Sequence, residues 1–128
     1  MAEPIPVKVL SRKDEITAAF FKLADKHIDD LLQSRVHRKF HAKDFGALLF
    51  VHPRHLTNTI KLTTGKSPCD IMEEKMITVA KDLLLNTQCS VADIGYKLGY
   101  NEATNFIKFF KGLAGISPLQ YRKQQNKN

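Results

Sequence analysis

Residues 90–122, SVADIGYKLGYNEATNFIKFFKGLAGISPLQYR, decide the fold. Val91, Ile94 and Leu98 share one face of a short helix. Gly99 stops it, because glycine enters the left-handed region that ends a helix without a steric cost. Phe106, Phe110 and Leu113 recur at i, i+4 and i+7, the apolar stripe of a second helix. Gly115 ends that one, and Ser117-Pro118 opens a third, with Ser as cap and Pro at the first helical position. Gly95 sits inside the first helix, where glycine costs about 1 kcal/mol against alanine. Close approach of the second helix is the compensation. Two short helices at a tight turn, the second with a polar outer face, form a helix-turn-helix.

The chain repeats this unit. Gly65-Lys66-Ser67-Pro68 returns fifty residues later as Gly115-Ile116-Ser117-Pro118, and Leu56, Ile60 and Lys61 match Phe106, Phe110 and Lys111 at the same offset. Upstream of the turn the offset is forty-nine: Asp44 matches Asp93, Phe45 matches Ile94, Gly46 matches Gly95 and Leu49 matches Leu98. The second turn is therefore one residue longer. Residues 42–64 are a first helix-turn-helix, with helices near 43–50 and 53–63. Two copies are too few to stack as a solenoid.

Between the copies, residues 68–87 (PCDIMEEKMITVAKDLLLNT) carry one broad apolar face of Ile71, Met72, Met76, Val79, Ala80, Leu83 and Leu84. Pro68 opens the helix, and Asp70, Glu73 and Glu74 favour its first turns. About 18 residues give about 27 Å, a strut between the modules. Upstream, Ile16, Phe20, Leu23, Ala24, His27, Ile28 and Leu31 give a helix to Gln33, with Ser11 and Asp14 as a capping pair. His27 lies on the apolar side as a core histidine. Residues 34–41 (SRVHRKFH) form a basic connection. Residues 1–10 read as a flexible tail or linker, 11–67 as the first helix and first module, 68–87 as the linker helix, 88–124 as the second module with its closing helix, and 125–128 as a tail. The expectation is an all-α chain of about seven helices.

The stretch 90–122 closely resembles the C-terminal signature of AraC/XylS-type transcription regulators. The carrying residues are Ile94, Gly95, Leu98-Gly99-Tyr100, Phe106, Phe110-Lys111, Gly115, Ser117-Pro118 and Tyr121-Arg122. The resemblance extends over roughly residues 12–124. It implies two helix-turn-helix modules joined by a linker helix, sequence-specific binding of double-stranded DNA across two successive major grooves, and promoter control through RNA polymerase. Alanine is commoner in that family where Gly46 and Gly95 stand, and arginine near Lys75.

The charge falls in two basic blocks. The chain carries +7 net, as −1 over residues 1–34, +6 over 35–66, −2 over 67–100 and +4 over 101–128. A polyanion touched at two places explains these blocks most simply, and an ordinary solvated basic surface explains them otherwise. With Leu56 and Ile60 inward, Arg54, Thr57, Asn58 and Lys61 face outward. The resemblance puts base readers at Arg54, Thr57 and Asn58. Arg can grip guanine and Asn adenine in bidentate fashion, and a Thr methyl can meet a thymine methyl. In the second module the outward set is Ala103, Thr104, Ile107, Lys108 and Lys111, with Lys108 foremost. Lys61, Lys66, Lys111, Arg38 and Lys39 are expected at phosphates, which position without specifying.

Other chemistry finds little support. No catalytic constellation is present, and no cofactor is expected. His37 with His41, and His52 with His55, have helical metal-ligand spacing, but no Cys or carboxylate completes a tetrahedral set. Cys69 and Cys89 would lie about 30 Å apart along one helix, far beyond the reach of a disulfide. Free thiols, the lack of a signal peptide and the lack of an 18-residue apolar run imply a cytoplasmic protein with no membrane partner. The DNA-binding part is expected to be monomeric, with any dimerisation left to an N-terminal domain outside this chain. The chain is either the C-terminal part of a longer regulator or a stand-alone one. The rival reading is a protein-interaction module that keeps the scaffold and has lost DNA reading.

Overall fold

The structure, a computed structural model, describes residues 11–126; the expected tail at 1–10 and the last two residues of that at 125–128 lie outside the described residues. Among the described residues there are seven helices and no strand: α1 Arg12–Leu32, α2 Ala42–Leu49, α3 Pro53–Thr64, α4 Pro68–Asn86, α5 Val91–Lys97, α6 Ala103–Ala114 and α7 Pro118–Asn126. This is the all-α, seven-helix plan with two helix-turn-helix pairs, α2–α3 and α5–α6. The chain forms two compact units that interleave in sequence. One takes the chain to Asp25 together with Phe40–Ile71, and the other takes Lys26–Lys39 together with Met72 onward.

In the first unit the core is built from Ile16, Phe20 and Ala24 of α1, Phe45 of α2, Leu56 and Ile60 of α3, and Ile71, all buried. The Phe45 ring meets Phe20 edge-on at 5.1 Å and Phe40 at 5.6 Å, the tilted geometry that aromatic quadrupoles prefer. The Thr17 and Thr63 hydroxyls, 2.7 Å apart, tie α1 to the end of α3. Asp44 caps α2 by accepting the His41 N–H at 2.8 Å. Gly46 is where α2 meets the start of α3. A Cβ there would lie 2.8 Å from the Val51 carbonyl oxygen and 3.4 Å from Pro53.

In the second unit Met76, Ala80 and Leu84 of α4, Ile94 of α5, Leu98, and Phe106 and Phe110 of α6 are buried. His27 is buried here as well, as its place in the apolar stripe implied. A chain of rings runs from Tyr100 through Phe106 and Phe110 to Tyr121. Gly95 repeats the role of Gly46, since a Cβ on it would stand 2.8 Å from Phe106 Cβ. Arg122 of α7 donates through Nε to the Leu84 carbonyl at 2.8 Å and through a terminal nitrogen to the Thr87 carbonyl at 3.4 Å. It thereby satisfies carbonyls that the end of α4 leaves without helical partners.

Asp30 closes α1. Its carbonyl accepts from Arg35 N–H at 2.8 Å, and its carboxylate takes Lys26 Nζ at 2.8 Å and Arg35 Nε at 2.7 Å. The hydrogen bonds from Lys26 and then Arg35 hold this carboxyl below its ordinary range, against the opposite pull of burial.

Substitutions at Gly46, Gly95 and Asp30 test these contacts, and one at Gly112 tests their absence. Gly46→Leu and Gly95→Leu should each destabilise the chain by overpacking, about 1–3 kcal/mol. Gly112, inside α6, has nothing within 4 Å of a built Cβ. Gly112→Ala should therefore raise the melting temperature, by the helix propensity that glycine forgoes, about 0.5–1 kcal/mol. Leucine variants that melt like the parent would refute the close-contact account. For Asp30, a depressed folded pKa means stability that is present above the unfolded value and lost as pH falls through the folded one. The melting difference between the parent and Asp30→Asn should be largest near neutral pH and should shrink below the ordinary carboxylate range. A difference independent of pH would count against it.

Candidate nucleic-acid interface

The second helix of each module presents its outer face by the same construction. In α3, His52 is the N-cap and its Nδ1 accepts the Arg54 N–H at 3.0 Å. Pro53 follows at the first helical position, where its missing donor is harmless. Gly65 ends the helix in the left-handed conformation, with its N–H on the Lys61 carbonyl. Leu56, Thr59 and Ile60 are buried, so the opposite side carries Arg54, His55, Asn58, Lys61 and Leu62, all exposed. Asn58 stands at the centre of that face, with Arg54 one turn earlier and Lys61 and Leu62 one turn later. Thr57 is half-buried at its flank.

In α6 the buried Phe106 and Phe110 set the same phase. Lys108 takes the central outward place that Asn58 holds in α3, and Thr104 and Lys111 stand beside it, exposed. Ala103 and Ile107 are half-buried on the flank. Asn105 is exposed on the other flank, as is its counterpart His55, and the sequence analysis places neither among the DNA contacts. Reading outward from the Phe106–Phe110 stripe by fours picks the Ala103–Ile107–Lys111 row. Asn105 needs the full helical phase to be noticed. The helix start here has Glu102 as N-cap without a side-chain cap bond.

The expected phosphate contacts divide between the units. Lys61 and Lys66 are exposed in the first, Lys66 just past the Gly65 cap. Lys111 and Arg38 are exposed in the second. Arg38 donates to the Lys39 carbonyl at 3.3 Å. Lys39 is half-buried and places its ammonium 4.0 Å from the centre of the Tyr100 ring, a cation–π contact. The segment 38–39 lies against the α5–α6 turn, where Gly99 (φ 90°) would bring a Cβ within 2.9 Å of Lys39 N. Burial, and then the charge of Glu73, push the Tyr100 hydroxyl well above its ordinary range, so it stays neutral.

Among the described residues, no group of three His, Cys, Asp or Glu side chains is placed to hold a metal ion, and no helix is long and apolar enough to cross a membrane. Cys69 and Cys89 are free thiols.

A family model described as a helix-turn-helix domain matches residues 46–124. The uncharacterized HTH-type transcriptional regulator YtdP of Bacillus subtilis is 32% identical over 78% of this chain, and the match spans 14% of its own length. The C-terminal domain of AraT, a response regulator from Geobacillus stearothermophilus, superposes with a TM-score of 0.77 at 26% identity, covering 89% of this chain and 88% of that one. The DNA-binding domain of AdpA, a global transcriptional factor solved with a target DNA, shares the fold, with a TM-score of 0.70 at 18% identity over 83% of this chain and 91% of that one.

The cap at His52 sets where α3 begins and so where Arg54 stands. His52→Ala should cost about 0.5–2 kcal/mol of stability, and His52→Ser, which can cap by its hydroxyl, should restore most of it. Thermal melting of the three chains checks this; an alanine variant as stable as the parent would show that the imidazole cap contributes nothing.

Proposed function

The chain belongs to the AraC-type helix-turn-helix family, and from that premise we propose that it is a sequence-specific DNA-binding transcription regulator. It acts as a non-enzymatic protein in the cytoplasm. The α3 and α6 helices enter successive major grooves of one duplex. Arg54, Thr57 and Asn58 read bases in one groove, and Ala103, Thr104, Ile107 and Lys108 do so in the next. Arg54 and Asn58 carry the bidentate chemistry for guanine and adenine. Lys61, Lys66, Lys111, Arg38 and Lys39 hold the phosphates. One chain suffices for binding. Control of the promoter follows from contact between the bound regulator and RNA polymerase, as the family resemblance implies.

The observation that carries this reading is the doubled outward face. Two helices of the same phase expose polar or cationic side chains on their first two turns: Arg54 and Asn58 in α3, Thr104 and Lys108 in α6. Recognition helices contact base edges with their N-terminal residues.

Selection from a random duplex library identifies the preferred site, and titration across salt then tests the reading. Binding should weaken with salt at a slope near −0.9 per neutralised phosphate. Asn58→Ala should cost about 1–3 kcal/mol on the selected duplex and relax preference at one base pair. Lys111→Ala should weaken selected and random duplexes about equally and reduce the salt slope by about one. An affinity that stays flat from low to moderate salt would remove the DNA reading. Equal losses on both duplexes for Asn58→Ala would move that residue from the reading set to the backbone set.

A further inference from the structure

The two modules close their turns identically and differ in what stands there. In the first, Phe50 N–H donates to the Ala47 carbonyl at 3.3 Å and Val51 N–H to the Gly46 carbonyl at 2.9 Å. Forty-nine residues on, Gly99 N–H donates to the Tyr96 carbonyl at 3.1 Å and Tyr100 N–H to the Gly95 carbonyl at 3.0 Å. The residue in the left-handed region is Gly99 in one turn, at φ 90°, and Phe50 in the other, at φ 59° and ψ 38°. A bulky L residue is strained there, and glycine is not. At Gly99 the segment 38–39 covers the turn and leaves no room for a side chain. Phe50 is 95% exposed. Its ring therefore gains almost nothing from packing, while its backbone bears a strain that glycine or asparagine would relieve. Strain kept at an exposed position points to a contact made outside the chain.

We infer that Phe50 is a DNA contact of the first module, its ring held out to lie against the sugars and thymine methyls that line the groove; the inference rests on the DNA reading above. Two observations select the partner. The exposed ionic side chains of residues 40–66 are cations: Lys43, Arg54, Lys61 and Lys66. Asp44, the one carboxylate in that stretch, is engaged with the His41 amide at 2.8 Å. The matching partner is a polyanion. Phe50 also stands two residues before the cap His52 and four before Arg54, next to the helix start assigned to the groove. A phenyl ring finds no favourable partner in a phosphate. It finds one in the apolar face of a deoxyribose or in a thymine methyl. Phe50 would thus add affinity that is insensitive to salt beside lysines whose contribution is not.

Phe50→Asn and Phe50→Tyr in the 128-residue chain test this, by melting and by titration with a duplex selected by the parent, at several salt concentrations. Asparagine tolerates the left-handed region, so Phe50→Asn should melt no lower than the parent. It should bind about tenfold more weakly. The salt slope should be unchanged, because an apolar contact releases no counterions. Phe50→Tyr keeps the ring and should bind within about twofold of the parent. The inference is overturned if Phe50→Asn binds as tightly as the parent, as it would were the ring a protein-docking residue. It is overturned equally if the loss comes with a smaller salt slope or a lower melting temperature. A parent that selects no duplex at all removes the DNA reading itself and this inference with it, a result distinct from a parent that binds and a Phe50→Asn variant that binds equally well.

Discussion

The fold depends on two places where no side chain fits. Gly46 faces a backbone carbonyl and Gly95 faces the Cβ of a phenylalanine, each close enough that an added Cβ would stand 2.8 Å away. A glycine inside a helix is unfavourable by itself, by roughly 0.5–1 kcal/mol against alanine. Its use here lets two short helices meet within a few residues of a turn. The Leu56–Ile60 and Phe106–Phe110 stripes are then fully buried, and once they are buried the phase of α3 and α6 is fixed. A helix has no freedom left to choose which side faces solvent. The outward placing of Arg54, Asn58, Thr104 and Lys108 is thus a consequence of two absent methyl groups.

The same economy governs the charges. Several carboxylates in and around the modules sit at helix starts, where backbone amides and the helix dipole favour an anion. Asp44 accepts the His41 amide, Asp70 the Ser67 amide at 3.3 Å, and Asp14 pairs with Ser11 at 2.9 Å. None of these belongs to α3 or α6. Among the described residues, the recognition helices themselves contain no acid at all, only Arg54, Lys61, Lys108 and Lys111 as ionic groups. Arg54 and Lys61 of the +6 block and Lys108 and Lys111 of the +4 block are exposed on these helices, while Arg35 pairs with Asp30 and Arg122 bonds the Leu84 carbonyl, so only part of each block faces outward.

Much of this was legible in the sequence because it is local or repeated. The Leu56–Ile60 and Phe106–Phe110 stripes and the glycine stops at Gly65 and Gly115 (φ 81° and 83°) follow from residues a few places apart, and the fifty-residue echo from comparing two such stretches, whereas Leu113, expected on the same stripe, is 50% exposed. What escaped depends on contacts between distant or chemically mute partners. Gly46 does meet the start of α3, at Pro53, but its nearest neighbour is the carbonyl of Val51, which any residue possesses. Arg122 reaches Leu84 and Thr87 through their carbonyls, so no side-chain pattern announces it. The placing of Arg38 and Lys39 against the Gly99 turn joins residues some sixty apart. Phe50 falls at the end of the helix expected near 43–50, and no pattern in the sequence marks its backbone as left-handed. Its ring stands in solvent on that backbone.

The two outward faces share a backbone and differ in chemistry, and that difference bears on how such a chain would meet DNA. Dimeric helix-turn-helix proteins bring two identical readers to a site, so their operators mirror a two-fold axis. Under the proposed reading both readers lie in one chain and are unlike. Arg54 and Asn58 can each form the paired hydrogen bonds that tell one base pair from the others. Their counterparts Thr104 and Lys108 offer one hydroxyl and a mobile point charge, which hold more readily than they discriminate. Under the proposed reading the two grooves therefore make unequal demands: most of the base discrimination falls to the first module, and the second contributes chiefly position and charge. An operator for this chain then has no reason to be palindromic, and reversing the protein on it would exchange a reading face for a holding one. Under that reading, direction on the duplex, which a symmetric dimer lacks, would come from four side chains set on two copies of the same helix.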